Sequence, residues 1–247
     1  MSTGAPAAGP DRRPTAVLAV VVVAGTALLL WGAEWLARTG AESVLARTVQ
    51  ERTGVLEAPP VDVGDGPVLL QALRGRYDDV TVDLEVVSSG PVRLRDLSAD
   101  LGGVYLAFPD LLDGTTSGVY VERSAEQALL THDDLDRYLR FTGRPLDAEP
   151  AGDGQLRLTG SVDVGGAVRP VSALVGVAAE DGALLLEPTR LDTPDPLEGV
   201  EELLVRQRFT VPVPLDPLLF EGRGVDVATR PDGLAVGASG EGVVLGS

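Results

Sequence analysis

The spacing of apolar residues changes period along the chain, and each change marks an element. Residues Pro14–Ala33 (PTAVLAVVVVAGTALLLWGA) carry no charge, and about 20 such residues suffice to cross a bilayer as a helix. From Trp35 to Arg52 the apolar positions are Ala37, Ala41, Val44, Leu45 and Val49, with Thr48 in the same series. That is one face of a helix, with Gly54 as its stop. EAPP at Glu57–Pro60 breaks the pattern. Pro67 then suits the first position of a short helix and Gly75 its C-terminal cap.

Period two follows. Val80, Val82, Leu84 and Val86 alternate with Thr81, Asp83 and Glu85, as in a strand with one dry face. Ser88–Pro91 reads as a turn. Val92 and Leu94 resume the alternation, which slips at Asp96–Leu97 as a bulge would make it slip. Leu156, Leu158, Val162 and Val164 repeat it, and Val225 and Val227 lead through Arg230–Gly233 (RPDG) into Leu234 and Val236. Thr131–Phe141 (THDDLDRYLRF) predicts a helix capped by Thr131, with Leu135, Leu139 and Tyr138 inward. Pro196–Arg206 is a weaker helical candidate.

One-faced strands need an apolar cover, and the Trp35–Arg52 helix is the best one available. The expected fold is α+β: a curved antiparallel sheet wrapped around a long N-terminal helix, preceded by one transmembrane helix. A slot remains between helix and strands where the sheet does not close. The expected organisation is a disordered tail over 1–13, a signal-anchor over 14–34 and an exported domain over 35–247. Arg12 and Arg13 precede the span and Glu34 follows it, which puts the N-terminus in the cytoplasm and the domain outside. Trp31 and Trp35 suit the far interface. No clean A-x-A site precedes Glu34, which favours an uncleaved anchor over a signal peptide.

Composition removes several classes of function. The net charge is −17 in 247 residues, so phosphate backbones are repelled and nucleic acid is not an expected partner. There is no Cys and a single His, His132, which leaves no thiolate chemistry and no His-cluster metal site. All the cationic side chains are Arg; Lys, Asn and Ile are missing. No lysine is present for a phosphate loop or a Schiff base. Those three residues share AT-rich codons, which points to a GC-rich genome. Asp62 and Asp65 lack the further oxygens of a calcium loop, and Asp133, Asp134 and Asp136 suit a helix start better than acid–base work. No catalytic residue, metal or cofactor is expected.

What remains is grease. In GPVLLQALRGRYDD, Leu69, Leu70 and Leu73 share a helical face, and with Tyr77 they are candidates for a groove entrance; capping of the sheet's open end is the plainer role. Val104, Leu106, Phe108, Leu111 and Leu112 form a second apolar segment, to hold acyl chains or to tuck into the core. Arg74 and Arg76 flank Gly75 beside the first set, placed to grip a phosphate or to pair with Asp78 and Asp79.

The order of motifs adds to this. PPVDVGDGPVLLQALRGRYDDVTVDLEV, then VRLRDLSADLGGVYLAFPDLLDG, then GVDVATRPDGLAVGASGEGVVL resembles the LmeA-like phospholipid-binding family of actinobacterial envelope proteins. The family's Gln-x-Leu-x-Gly-x-Tyr turn is Gln71, Leu73, Gly75 and Tyr77. Its later strand and loop match Leu97–Val104 and Pro109–Gly114, and its last hairpin matches Asp232–Leu245. The resemblance implies a non-enzymatic lipid binder of the cell envelope or periplasm. It also implies a phosphatidylinositol-type ligand and work beside envelope glycosyltransferases in making lipomannan-type lipoglycans. From the residues alone, an interaction module of envelope assembly, with its slot filled by its own side chains, stays open.

Overall fold

The computed structural model describes residues 13–64, 66–113, 118–152, 154–164, 167–180, 182–194, 196–197, 199–215 and 224–245. The apolar span and the amphipathic helix after it are one continuous α-helix, α1 (Arg13–Thr53). At about 1.5 Å per residue it is roughly 60 Å long. Its two halves have different surroundings. Val20, Val23, Leu28, Leu29 and Trp31 are exposed, whereas Ala41, Val44, Leu45, Thr48 and Val49 are buried. The buried set lies at i, i+3, i+4, i+7 and i+8, the stripe by which an amphipathic helix meets a core. The Gly54 N–H donates to Gln50 O where the helix stops.

The strands pair antiparallel throughout, in two sheets where the sequence suggests a single curved one. The first contains β1 (Val61–Val63), β2 (Arg76–Ser89), β3 (Val92–Tyr105), β4 (Val119–Thr131), β10 (Gly224–Arg230) and β11 (Gly233–Leu245), in the order β1-β2-β3-β4-β11-β10. The second is sequential: β5 (Leu146–Gly152), β6 (Gln155–Val164), β7 (Ala167–Glu180), β8 (Ala183–Asp192) and β9 (Val211–Pro214). Alternation sets the register: Val80, Val82 and Leu84 stand opposite Leu101, Ala99 and Leu97, all buried. The slip at Asp96–Leu97 is real, since the β3–β4 register shifts between Arg95 and Ser98. One apolar cluster runs from Val44 and Leu45 of α1 through both sheets.

α4 (His132–Phe141) is built as its sequence predicts. Thr131 Oγ1 accepts from Asp134 N at 3.2 Å, and Leu135, Tyr138 and Leu139 are buried. Asp134 is fully buried and satisfied: Arg95 Nε donates at 2.7 Å, Thr131 Oγ1 at 2.8 Å, and Arg137 donates from the next turn. Burial pushes its carboxyl up, but hydrogen bonds from Arg95, Thr131 and Arg137 prevail and hold it below the ordinary value. Ala148 N donates to Asp136 Oδ1 at 2.7 Å, which latches α4 to β5. α5 (Val200–Phe209) starts later than Pro196 and turns Val205 and Phe209 inward, leaving Val200, Leu203 and Leu204 exposed.

Candidate functional site

Two short helices sit against α1, where its exposed half gives way to its buried half. α2 (Val68–Arg74) follows Pro67, which is the N-cap and not the first helical residue. Gly75 ends the helix with φ 67° and ψ 25°, a left-handed cap that favours glycine. Gly75 O then accepts from Leu106 N at 3.2 Å, which ties the end of α2 to the end of β3. α3 (Phe108–Asp113) lies against both α1 and α2.

The start of α2 is held by Glu34 of α1. Its carboxylate accepts from Val68 N and, at 2.9 Å, from Leu69 N. These are orphan donors of a helix's first turn, and an anion there also suits the helix dipole. Gln71 holds the other side: it is buried, and its Oε1 accepts from Asp78 N at 2.9 Å. Farther down, Arg38 donates to Val63 O and joins α1 to β1.

α2 is apolar on both sides. Val68 and Ala72 face the core, each fully buried, while Leu70 is 42% and Leu73 61% exposed. Leu30, Glu34, Pro67, Leu69, Leu70 and Leu73 line an open groove of about 270 Å³ between α1 and α2. Its one charged group is the Glu34 carboxylate, whose oxygens are already engaged by α2. Two larger clefts, about 490 and 560 Å³, run along β4, β11 and β10. Asp96, Asp226 and Arg230 line the first, Arg123 and Glu241 the second, so both carry charges of either sign on their walls. Beside residues 35–52 the helix packs against the core, where Ala41, Val44, Leu45 and Val49 are at most 4% exposed.

The residues singled out in the sequence therefore separate. Leu69, Leu70 and Leu73 come together in the groove. Tyr77 does not: its ring is fully buried and its hydroxyl has no partner among the described residues. Burial pushes its phenol up to about 12. Val104 and Leu106 are core residues rather than a surface loop, because β3 runs on to Tyr105 before α3 begins. Phe108 is half-exposed on α3; the side chains of Leu111 and Leu112 lie outside the described residues.

The arginines separate too. Arg74 is exposed on the last turn of α2 and makes no ion pair among the described residues. Arg76 is engaged, with Asp78 and with Glu122 Oε2 at 3.0 Å, and its guanidinium lies 5.8 Å from the Tyr105 ring centre. Tyr105 donates to Glu122 Oε1 at 2.7 Å, and with Arg76 it holds that carboxyl below its ordinary value. Asp78 and Glu122 already balance Arg76, which leaves Arg74 as the available cation. Among the described residues no group of three or more His, Asp or Glu is placed to hold a metal; Asp65 lies outside them.

Sequence reasoning missed three groove residues: Leu30, which reads only as part of the span, Glu34, which reads as a topology signal, and Pro67, which reads as a helix start. The first charge after an uncharged run of span length was the signal available for Glu34.

An antiparallel α+β domain with an open apolar groove beside a long apolar helix is suited to an apolar ligand. The family comparison agrees: the model of the LmeA-like phospholipid-binding family matches residues 32–239, and the chain belongs to that family. No curated protein and no solved structure matches it.

Proposed function

We propose that this protein is a membrane-anchored phospholipid-binding protein of the cell envelope, and that it holds part of an acyl chain in the groove between α1 and α2. The observation that carries this reading is the apolar wall of Leu30, Pro67, Leu69, Leu70 and Leu73 beside an exposed helix of membrane-spanning length. α1 anchors the chain with its N-terminus in the cytoplasm, as Arg12, Arg13 and Glu34 favour. The domain then lies on the outer side. Arg74, one residue beyond Leu73, meets the phosphate. The ligand is of phosphatidylinositol type and supports lipomannan-type assembly with envelope glycosyltransferases; this part rests on the family resemblance. No bond is made or broken.

The size of the groove restricts the mechanism. About 270 Å³ falls just under the roughly 300–1,000 Å³ of small-molecule sites, which fits a segment of one chain and not a whole diacyl lipid. Relative to water, each buried methylene contributes about 0.8 kcal/mol. Relative to the bilayer the gain is close to nothing, because lipid tails are as apolar as leucine. The groove therefore lowers the cost of lifting a lipid part-way out, and selectivity falls to the headgroup.

Native mass spectrometry of the full chain, purified in mild detergent, tests this. Bound phospholipid is expected, and Leu69→Gln with Leu73→Gln should release it. Repeated isolation without lipid, together with no uptake of added phospholipid, would favour an interaction module instead.

A further inference from the structure

The outward face of α2 has no covering among the described residues, and its place beside α1 identifies what covers it. At about 1.5 Å per residue the uncharged stretch from Pro14 to Ala33 is roughly 30 Å long, the thickness of a bilayer's hydrocarbon core. Leu30 is then about one turn inside the outer boundary, and Glu34 stands at it. Both line the groove with Leu69, Leu70 and Leu73, and Glu34 bonds the first amides of α2. α2 is thus fixed at the level of the bilayer surface by the same helix that crosses it.

Its outer face is what such a position requires. Leu70 and Leu73 are exposed there, and on α1 Trp31, Trp35 and Leu36 are exposed at the same end. The polar Gln71 is turned into the domain and bonded to Asp78 N. Arg74 follows at the C-terminal end, where a long cationic side chain reaches up to headgroups while its stem stays in grease. An outward face as apolar as that of Leu70 and Leu73 is covered by protein or by lipid, and this one meets Leu30 of the span in the groove.

We propose that α2 is a membrane-seated helix: Leu70 and Leu73 lie in the outer leaflet, about 5–10 Å below the headgroup boundary, and the groove opens directly to the acyl chains. This rests on the reading of α1 as a membrane span. A lipid would then pass between leaflet and groove without crossing water.

The chain has no cysteine, which makes the test direct. Leu73→Cys, Leu70→Cys, Leu30→Cys and Leu56→Cys proteins, full length, are labelled with a polarity-sensitive nitrobenzoxadiazole dye and reconstituted in phosphatidylcholine–phosphatidylglycerol vesicles. Leu56 is 98% exposed beyond the far end of α1 and serves as the wet reference. The labels at residues 70 and 73 are expected to be blue-shifted, shielded from aqueous iodide, and quenched about twofold or more by nitroxide placed shallow on the acyl chain. Labels at 70 and 73 as accessible to iodide as the one at 56 would overturn the proposal. So would labels that are dry but indifferent to lipid nitroxide, because protein would then be the cover. A label at residue 30 that lipid nitroxide does not quench would overturn the span itself. Phospholipid retention by the same proteins in detergent is scored separately, so loss of the seat and loss of lipid binding are read apart.

Discussion

Replacing Glu34 with Ala should melt α2 locally and leave the rest of the domain folded. The Glu34 carboxylate accepts the amides of Val68 and Leu69, two donors that a seven-residue helix cannot satisfy internally. A hydrogen bond to a charged group contributes about 1.5–3 kcal/mol. Glu34 is only half-buried, so the low end applies to each bond, and the local loss is about 3 kcal/mol. At about 1.4 kcal/mol per tenfold, that is roughly a hundredfold faster amide exchange across Val68–Arg74. Glu34→Gln keeps a neutral acceptor and should lose about half as much. Hydrogen exchange of the detergent-solubilised full chain, followed by mass spectrometry, reads this directly. Residues 80–105 should exchange as before, because β2 and β3 rest on their own ladder and core. Unchanged exchange over Val68–Arg74, or an equal rise everywhere, would refute the reasoning.

Three further outcomes follow from buried or crowded groups. Tyr77→Phe removes a buried hydroxyl that has no partner among the described residues and should raise stability by about 1 kcal/mol in urea titration. The folded phenol ionises only near 12. Its contribution is therefore complete below the unfolded value of about 10 and is lost as pH rises from there through 12, and the Phe variant should lack that alkaline loss. Gly103→Ala should cost about 1–3 kcal/mol by thermal unfolding, since φ is 66° and a Cβ there would stand 2.3 Å from Glu122 Oε2. Asp134→Asn should cost about 2 kcal/mol at neutral pH. The folded carboxyl titrates below its ordinary value, so its contribution is present above about 4 and lost as pH falls further; the melting curves of wild type and variant should converge there.

Much of the fold is legible in the sequence wherever one local rule decides. Alternation over Val80–Val86, the slip at Asp96–Leu97, the Thr131 cap and the Gly75 cap each follow from a few neighbouring residues. The division into two sheets does not, because β5 through β9 carry the same alternation as β2 through β4 and only long-range pairing separates them. The site is legible in part for the same reason. Leu69, Leu70 and Leu73 announce an apolar face, but Tyr77, Val104 and Leu106 look equally greasy, and only the folded chain separates the buried set from the exposed one. Arg74 and Arg76 are indistinguishable in sequence; Glu122, 46 residues after Arg76, tells them apart.

The central claim is that acyl chains lie against α2. A phospholipid with a photoactivatable diazirine on its acyl chain, incorporated with the full chain in vesicles and irradiated, should crosslink within Leu69–Leu73 and near Leu30. Crosslinks confined to the β4–β11–β10 clefts, or none on the domain at all, would contradict it.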